Sequence, residues 1–158
     1  MAKTAGMFTE TTAVPVGKSV AEITDLLVRA GAMAISTNYR ADRSIESLSF
    51  VIPVSGGRIP YLLPIRVDPV FERLWKRRVR KGWGPAHEKL KAQDREQAGR
   101  IAWRQMFWWL KSQLALIDLG MVRAEEVLMP YMLANDGRTF FEVYQRSLEH
   151  ATCQPPNA

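Results

Sequence analysis

Cysteine and histidine are nearly absent from this chain: one Cys, at position 153, and two His, at 87 and 150, in 158 residues. One thiol cannot close an internal disulfide, which excludes the disulfide-stapled secreted classes. Nothing in the CQPPNA context marks Cys153 as an activated nucleophile. Neither histidine has a second ligand at metal spacing, so no zinc site is expected. Gly56 and Gly57 fit neither a phosphate-cradling loop nor a dinucleotide fingerprint. No strand-to-helix elbow marks a nucleophilic serine. Long apolar runs are also missing: nothing approaches the roughly 18 residues of a membrane span. The opening MAKTAGMFTETTAVPVG lacks the apolar core of a signal peptide. The expectation is a cytoplasmic protein without cofactor, metal or catalysis. The acids that could serve Mg²⁺ or acid–base chemistry are Asp118, Glu125, Glu126 and Asp136. Glu125-Glu126 sits just inside a predicted helix start, where negative charge favours the helix dipole and needs no further explanation.

Apolar residues are plentiful. They make up 47% of the chain, with five Trp, six Phe, four Tyr and seven Met to fill a core. The length fits one domain, expected over 15–150, between a flexible arm at 1–14 and a flexible tail at 151–158. Ser19 and Glu22 have the spacing of a capping box, and Val20, Ile23, Leu26, Leu27 and Ala30 follow on one helical face, with Gly31 as the stop. Three strand-like segments come next, at 32–39, 45–54 and 58–67, the last two joined by Ser55-Gly56-Gly57. Ile45, Leu48, Phe50 and Ile52 alternate inward in one, Ile59, Tyr61, Leu63 and Ile65 in the other. Pro60 and Pro64 share one parity, which places their strand at a sheet edge. Asp68-Pro69 reads as an N-cap followed by a first-turn proline, opening a short helix to about 80. Gly82 and Gly84-Pro85 break it before a long helix over 86–119. A short helix at 123–129, ended by Pro130, precedes a second capping box at Thr139 and Glu142. That box opens a last helix to about 150, with Phe140 or Phe141, Tyr144 and Leu148 expected on its core side. The fold class is α+β: an N-terminal helix on a three-stranded antiparallel meander, then a mostly helical half with one long central helix.

Charge is concentrated. Between Glu72 and Arg104 eleven Lys/Arg face four acids, a surplus of seven, against +6 for the whole chain. The densest part, WKRRVRKGWG at 75–84, has no acid at all. On a helix Lys76 and Arg80 are four apart, as are Arg73 and Arg77, and Arg77 and Lys81. Like charges at that spacing repel mildly, so retaining them suggests a polyanionic partner. Arg suits bidentate phosphate contact, and an indole such as Trp83 stacks on unpaired bases. The candidate nucleic-acid contacts are Arg73, Lys76, Arg77, Arg78, Arg80, Lys81 and Trp83. The plain alternative is a solvated face with Trp75 buried under Lys and Arg stems. Trp108 and Trp109, about 100° apart on a helix, widen the apolar stripe of Trp103, Met106, Phe107, Leu110, Leu114 and Ile117 beyond one packing face. They read as a helix packed on two sides, or as aromatic anchors for a protein partner or a second copy.

Four segments carry a resemblance: VPVGKSVAEITDLLVRAGA at 14–32, FVIPVSGGRIPYLLPI at 50–65, RIAWRQMFWWLKSQLALIDLG at 100–120, and the EEVLMPYML..DGRTFFEVY pattern at 125–144. In this order they resemble a widespread group of small phage, prophage and other mobile-element proteins with no established activity. The resemblance implies an origin in a bacterial host cell and carries over no site residues. The element order is also similar to that of the double-stranded RNA-binding domain. There, however, the motif echoed by Gly84-Pro85-Ala86-His87 lies between strands, not after the basic run. The functional expectation is a non-catalytic phage-type accessory protein binding DNA or RNA through its basic helix. The alternative is a protein-interaction module, such as an anti-CRISPR-like inhibitor of a host nuclease or defence complex.

Overall fold

The computed structural model describes residues 6–54, 56–83 and 87–152. Residues 1–5 of the expected arm, Ser55 of the expected hairpin turn, the Gly84-Pro85 break and residues 153–158 of the expected 151–158 tail lie outside them. In chain order the elements are α1 (Val16–Arg29), β1 (Ala34–Tyr39), β2 (Ile45–Val54), β3 (Gly57–Pro64), α2 (Asp68–Arg80), α3 (Glu88–Asp118), α4 (Ala124–Leu128), a 3₁₀ turn (Met129–Tyr131) and α5 (Phe140–Thr152). The class is α+β: a helix, a three-stranded antiparallel sheet, and a mostly helical remainder with one long helix. The chain forms two compact units. One joins the residues up to Leu26 with Ile65–Ser112; the other joins Leu27–Pro64 with the residues from Gln113 on.

The second unit is built on the sheet, ordered β1-β2-β3. Side chains alternate across a strand, and the register turns that alternation into one apolar face. Leu48 pairs with Leu63, Phe50 with Tyr61, and Ile52 with Ile59. Leu48, Phe50, Tyr61 and Leu63 are all buried, and the Phe50 and Tyr61 rings stack with centroids 5.3 Å apart. On β1 a register shift between Asn38 and Tyr39 brings Ile45 opposite Tyr39, which leaves Ile45 half-buried. The other face is polar where β1 meets β2: the Asn38 amide donates to the Ser47 and Ser49 hydroxyls at 2.9 Å each. β3 is the outer strand, as its prolines require. The Pro60 carbonyl accepts from the Leu133 N–H at 2.9 Å. This edge of Pro60 therefore points away from β2, and its missing N–H costs the β2–β3 ladder nothing.

The capping box at the start of α5 is formed. The Thr139 N–H donates to Glu142 Oε2 at 2.7 Å and the Glu142 N–H to Thr139 Oγ1 at 3.3 Å. The face expected to be buried is not: Phe140, Phe141, Tyr144 and Leu148 are exposed. Val143, half-buried, lies on the inner side instead.

The capping box at the start of α1 is absent. The first turn begins at Pro15, whose carbonyl accepts from the Lys18 and Ser19 N–H groups. Ser19 therefore lies inside the helix, whereas a cap residue needs extended backbone. It is fully buried, and its hydroxyl has no partner among the described residues. Glu22 pairs instead with Arg104. Gly31, at φ +87°, closes α1: its N–H donates to the Val28 carbonyl and the Ala32 N–H to that of Leu27, the pairing of a Schellman motif.

Candidate nucleic-acid interface

α2 carries the basic run, and it starts one residue earlier than expected. Val67 stands at the N-cap with helical φ −78° and ψ −35° and no side-chain cap. Asp68 is thus inside the first turn, where its charge favours the dipole, and its carboxylate accepts from Arg95 Nη1 at 2.9 Å. Pro69 costs nothing there, because a first-turn N–H has no helical partner.

One face of α2 lies against α3. The Arg95 guanidinium covers the Phe71 ring at 4.3 Å, Phe71 stacks on Trp75 at 6.4 Å, and Lys91 Nζ lies 5.7 Å from the Trp75 ring centre. Arg78 belongs to this face. Its Nε and Nη2 grip the Asp94 carboxylate at 2.8 and 2.5 Å, and Asp94 is only 6% exposed. The hydrogen bond that Arg78 donates to Asp94 raises the guanidinium's affinity for its proton. Arg78 is therefore a structural cation, set against a buried acid that would otherwise stand uncompensated.

Arg77 is also engaged. Its Nη2 donates to Glu10 Oε1 at 2.6 Å. Partial burial pushes the Glu10 carboxyl up, but the Met7 N–H, the Arg77 hydrogen bond and charge, and the Arg73 charge together hold it below its ordinary range. Residues 7–14 are accordingly not a loose arm. Gln97 on α3 donates both amide hydrogens to them, to the Glu10 and Thr12 carbonyls at 3.0 Å each. The Gln105 amide donates to the Phe8 carbonyl at 2.8 Å.

Arg73, Lys76, Arg80 and Lys81 remain. All four are exposed, and none has a carboxylate within ion-pair distance among the described residues. At ~100° per residue they fall within less than half the helix circumference, away from Phe71, Trp75 and Arg78. Gly82, at φ +87°, ends the helix with a second Schellman pairing, its N–H to the Val79 carbonyl and the Trp83 N–H to that of Arg78. Trp83 follows, 46% exposed, edge-on to the His87 ring at 5.6 Å. The expected cluster thus divides by partner: Arg73, Lys76, Arg80 and Lys81 are exposed with no ion pair among the described residues, and Trp83 is exposed two positions after Lys81, while Arg77, on the same arc of the helix, and Arg78 pair with the protein's own acids.

Trp108 and Trp109 lie on α3 away from this run in sequence. Trp108 is 39% exposed, with Arg104 at 5.5 Å and Lys111 at 5.1 Å over its ring and Phe107 edge-on at 5.2 Å. Trp109 is half-buried. Glu125 and Glu126 occupy the first turn of α4. Among the described residues no three His, Cys, Asp or Glu side chains gather as a metal site, and no helix is long and apolar enough to cross a membrane.

Sequence reasoning missed the two acids that divide the cluster. Asp94 did carry a signal: it stands four before Ala98 and seven before Ile101, in the apolar row of α3, where a lone acid needs a buried partner. Glu10 carried none. Compared with known protein families, curated proteins and solved structures, the chain matches none.

Proposed function

We propose that this chain is a nucleic-acid-binding accessory protein of the mobile-element kind, acting by contact and not by catalysis. The observation that carries the reading is one face of α2 and its C-cap on which Arg73, Lys76, Arg80 and Lys81 are exposed without an ion-pair partner among the described residues, with the exposed Trp83 two residues further on. Cations already neutralised by the protein gain little from a phosphate; these four would each release a condensed counterion. The test is a gel shift with the triple variant Arg73→Ala, Lys76→Ala, Arg80→Ala. Binding should fall by at least tenfold at low salt, with the circular dichroism spectrum unchanged because no ion pair is broken. An unchanged shift would remove the assignment. Arg78 stays out of the variant, since its loss would disturb α3.

A second reading, a protein-interaction module, rests on a different observation. The exposed residues Phe140, Phe141, Tyr144 and Leu148 form an uncharged arc of α5, while Glu142, Arg146 and Glu149 fall on the opposite side at ~100° per residue. If the wild-type chain shifts no nucleic acid at low salt, this reading takes the place of the first.

A further inference from the structure

Beside the Arg73 end of the cation row lies an open cleft of about 440 Å³, lined by Met7, Phe8, Pro69, Val70, Arg73 and Gln105. That volume falls in the range of small-ligand pockets, ~300–1,000 Å³. Phe8 stands in it 66% exposed, and the turn that holds it there is fixed at several points. The Glu10 N–H donates to the Met7 carbonyl at 3.0 Å, and the Met7 N–H returns a bond to the Glu10 carboxylate at 2.7 Å. Gln105 holds the Phe8 carbonyl. Thr9, next in the chain, has φ +60°, in the left-handed region that non-glycine residues seldom occupy. A single exposed aromatic is ordinary on a protein surface. One held in water by a strained, hydrogen-bonded turn, at the wall of a cleft that also contains Arg73, which forms no ion pair among the described residues, is arranged to meet a flat ligand.

Arg73 and Arg80 are ~10 Å apart along the helix, with Lys76 between them. Exposed Trp83 follows Lys81 in the chain, just past the end of the helix. A duplex offers phosphates to such a row but keeps its bases stacked inside; only a strand with unpaired bases offers a ring face to Phe8 as well. We infer that the ligand of this surface is single-stranded nucleic acid, with its backbone along Arg73, Lys76 and Arg80 and one base stacked on Phe8 in the cleft. This rests on the nucleic-acid reading above and narrows it.

The experiment compares a labelled oligothymidine with a duplex of the same length by fluorescence anisotropy at low salt. The wild-type chain should bind the single strand more tightly. Phe8→Ala should weaken the single strand about tenfold, the scale of one lost base–aromatic stack, and leave the duplex unchanged. Phe8→Trp should keep wild-type affinity. The Phe8 side chain is largely in solvent and its hydrogen bond is made by the backbone, so neither change threatens the fold. An unchanged single-strand affinity in Phe8→Ala, or equal losses on both probes, overturns the inference while the nucleic-acid reading stands. Failure of the wild-type chain to bind either probe overturns both.

Discussion

Two residues show how a sequence signal and its physical use can part. Ser19 followed by Glu22 has the spacing of a capping box, yet Pro15 starts the helix a turn earlier and leaves the Ser19 hydroxyl buried without a partner among the described residues. Ser19→Ala should therefore stabilise the protein, by ~0.5 kcal/mol from helix propensity alone. A true N-cap serine would lose ~1 kcal/mol on the same change. Urea denaturation gives the sign. Arg78 is the second case. Within the run it looks like any other cation, but its bidentate hold on buried Asp94 makes it a folding residue. Arg78→Ala should cost ~3 kcal/mol, because the carboxylate stays buried without its counter-charge. Replacing both partners by apolar residues of similar shape, Arg78→Met with Asp94→Leu, should recover much of that loss. Equal stability of wild type and Arg78→Ala in urea would contradict the structural role.

At the scale of elements, most of the fold was legible because local chemistry and burial agree. Alternation at Leu48, Phe50 and Ile52 against Ile59, Tyr61 and Leu63 became the observed register. Gly31 ended its helix in the motif its freedom at positive φ permits, and Thr139 with Glu142 formed the cap their spacing implies. Failures came where a long-range partner decided. The stretch at 7–14 has no periodicity, and what fixes it is hydrogen bonding to Gln97 and Gln105, nearly ninety positions or more away. The apolar arc of α5, expected to face the core, is exposed. α1 and α3 meet closely at Gly99, where an added Cβ would lie 3.6 Å from Val16 Cγ2, an ordinary contact. Gly99 sits in a helix interior at a cost of ~0.5–1 kcal/mol relative to alanine. Gly99→Ala should accordingly raise the thermal midpoint. A lower midpoint would mean that the two helices need the space.

On the scale of the whole molecule, the sequence located the charge but not its availability. Net charge and its crowding at 72–104 are properties of composition. Which cations stay open depends on where Glu10 and Asp94 land, and only the fold brings Glu10, sixty-seven positions away, to Arg77. The proposed site is therefore smaller than the run, with Arg73, Lys76, Arg80 and Lys81 left open, and the inferred single-strand contact adds an aromatic, Phe8, that no basic motif marks. Counterion release makes this division measurable, since each phosphate contact on a single strand adds ~0.7 to the slope of log Kobs against log salt. The most direct measurement is that slope for oligothymidine. Four open cations predict about −3 for the wild-type chain and a slope shallower than about −1 for Arg73→Ala, Lys76→Ala, Arg80→Ala. A wild-type slope near zero, or the same slope in both proteins, would contradict the account.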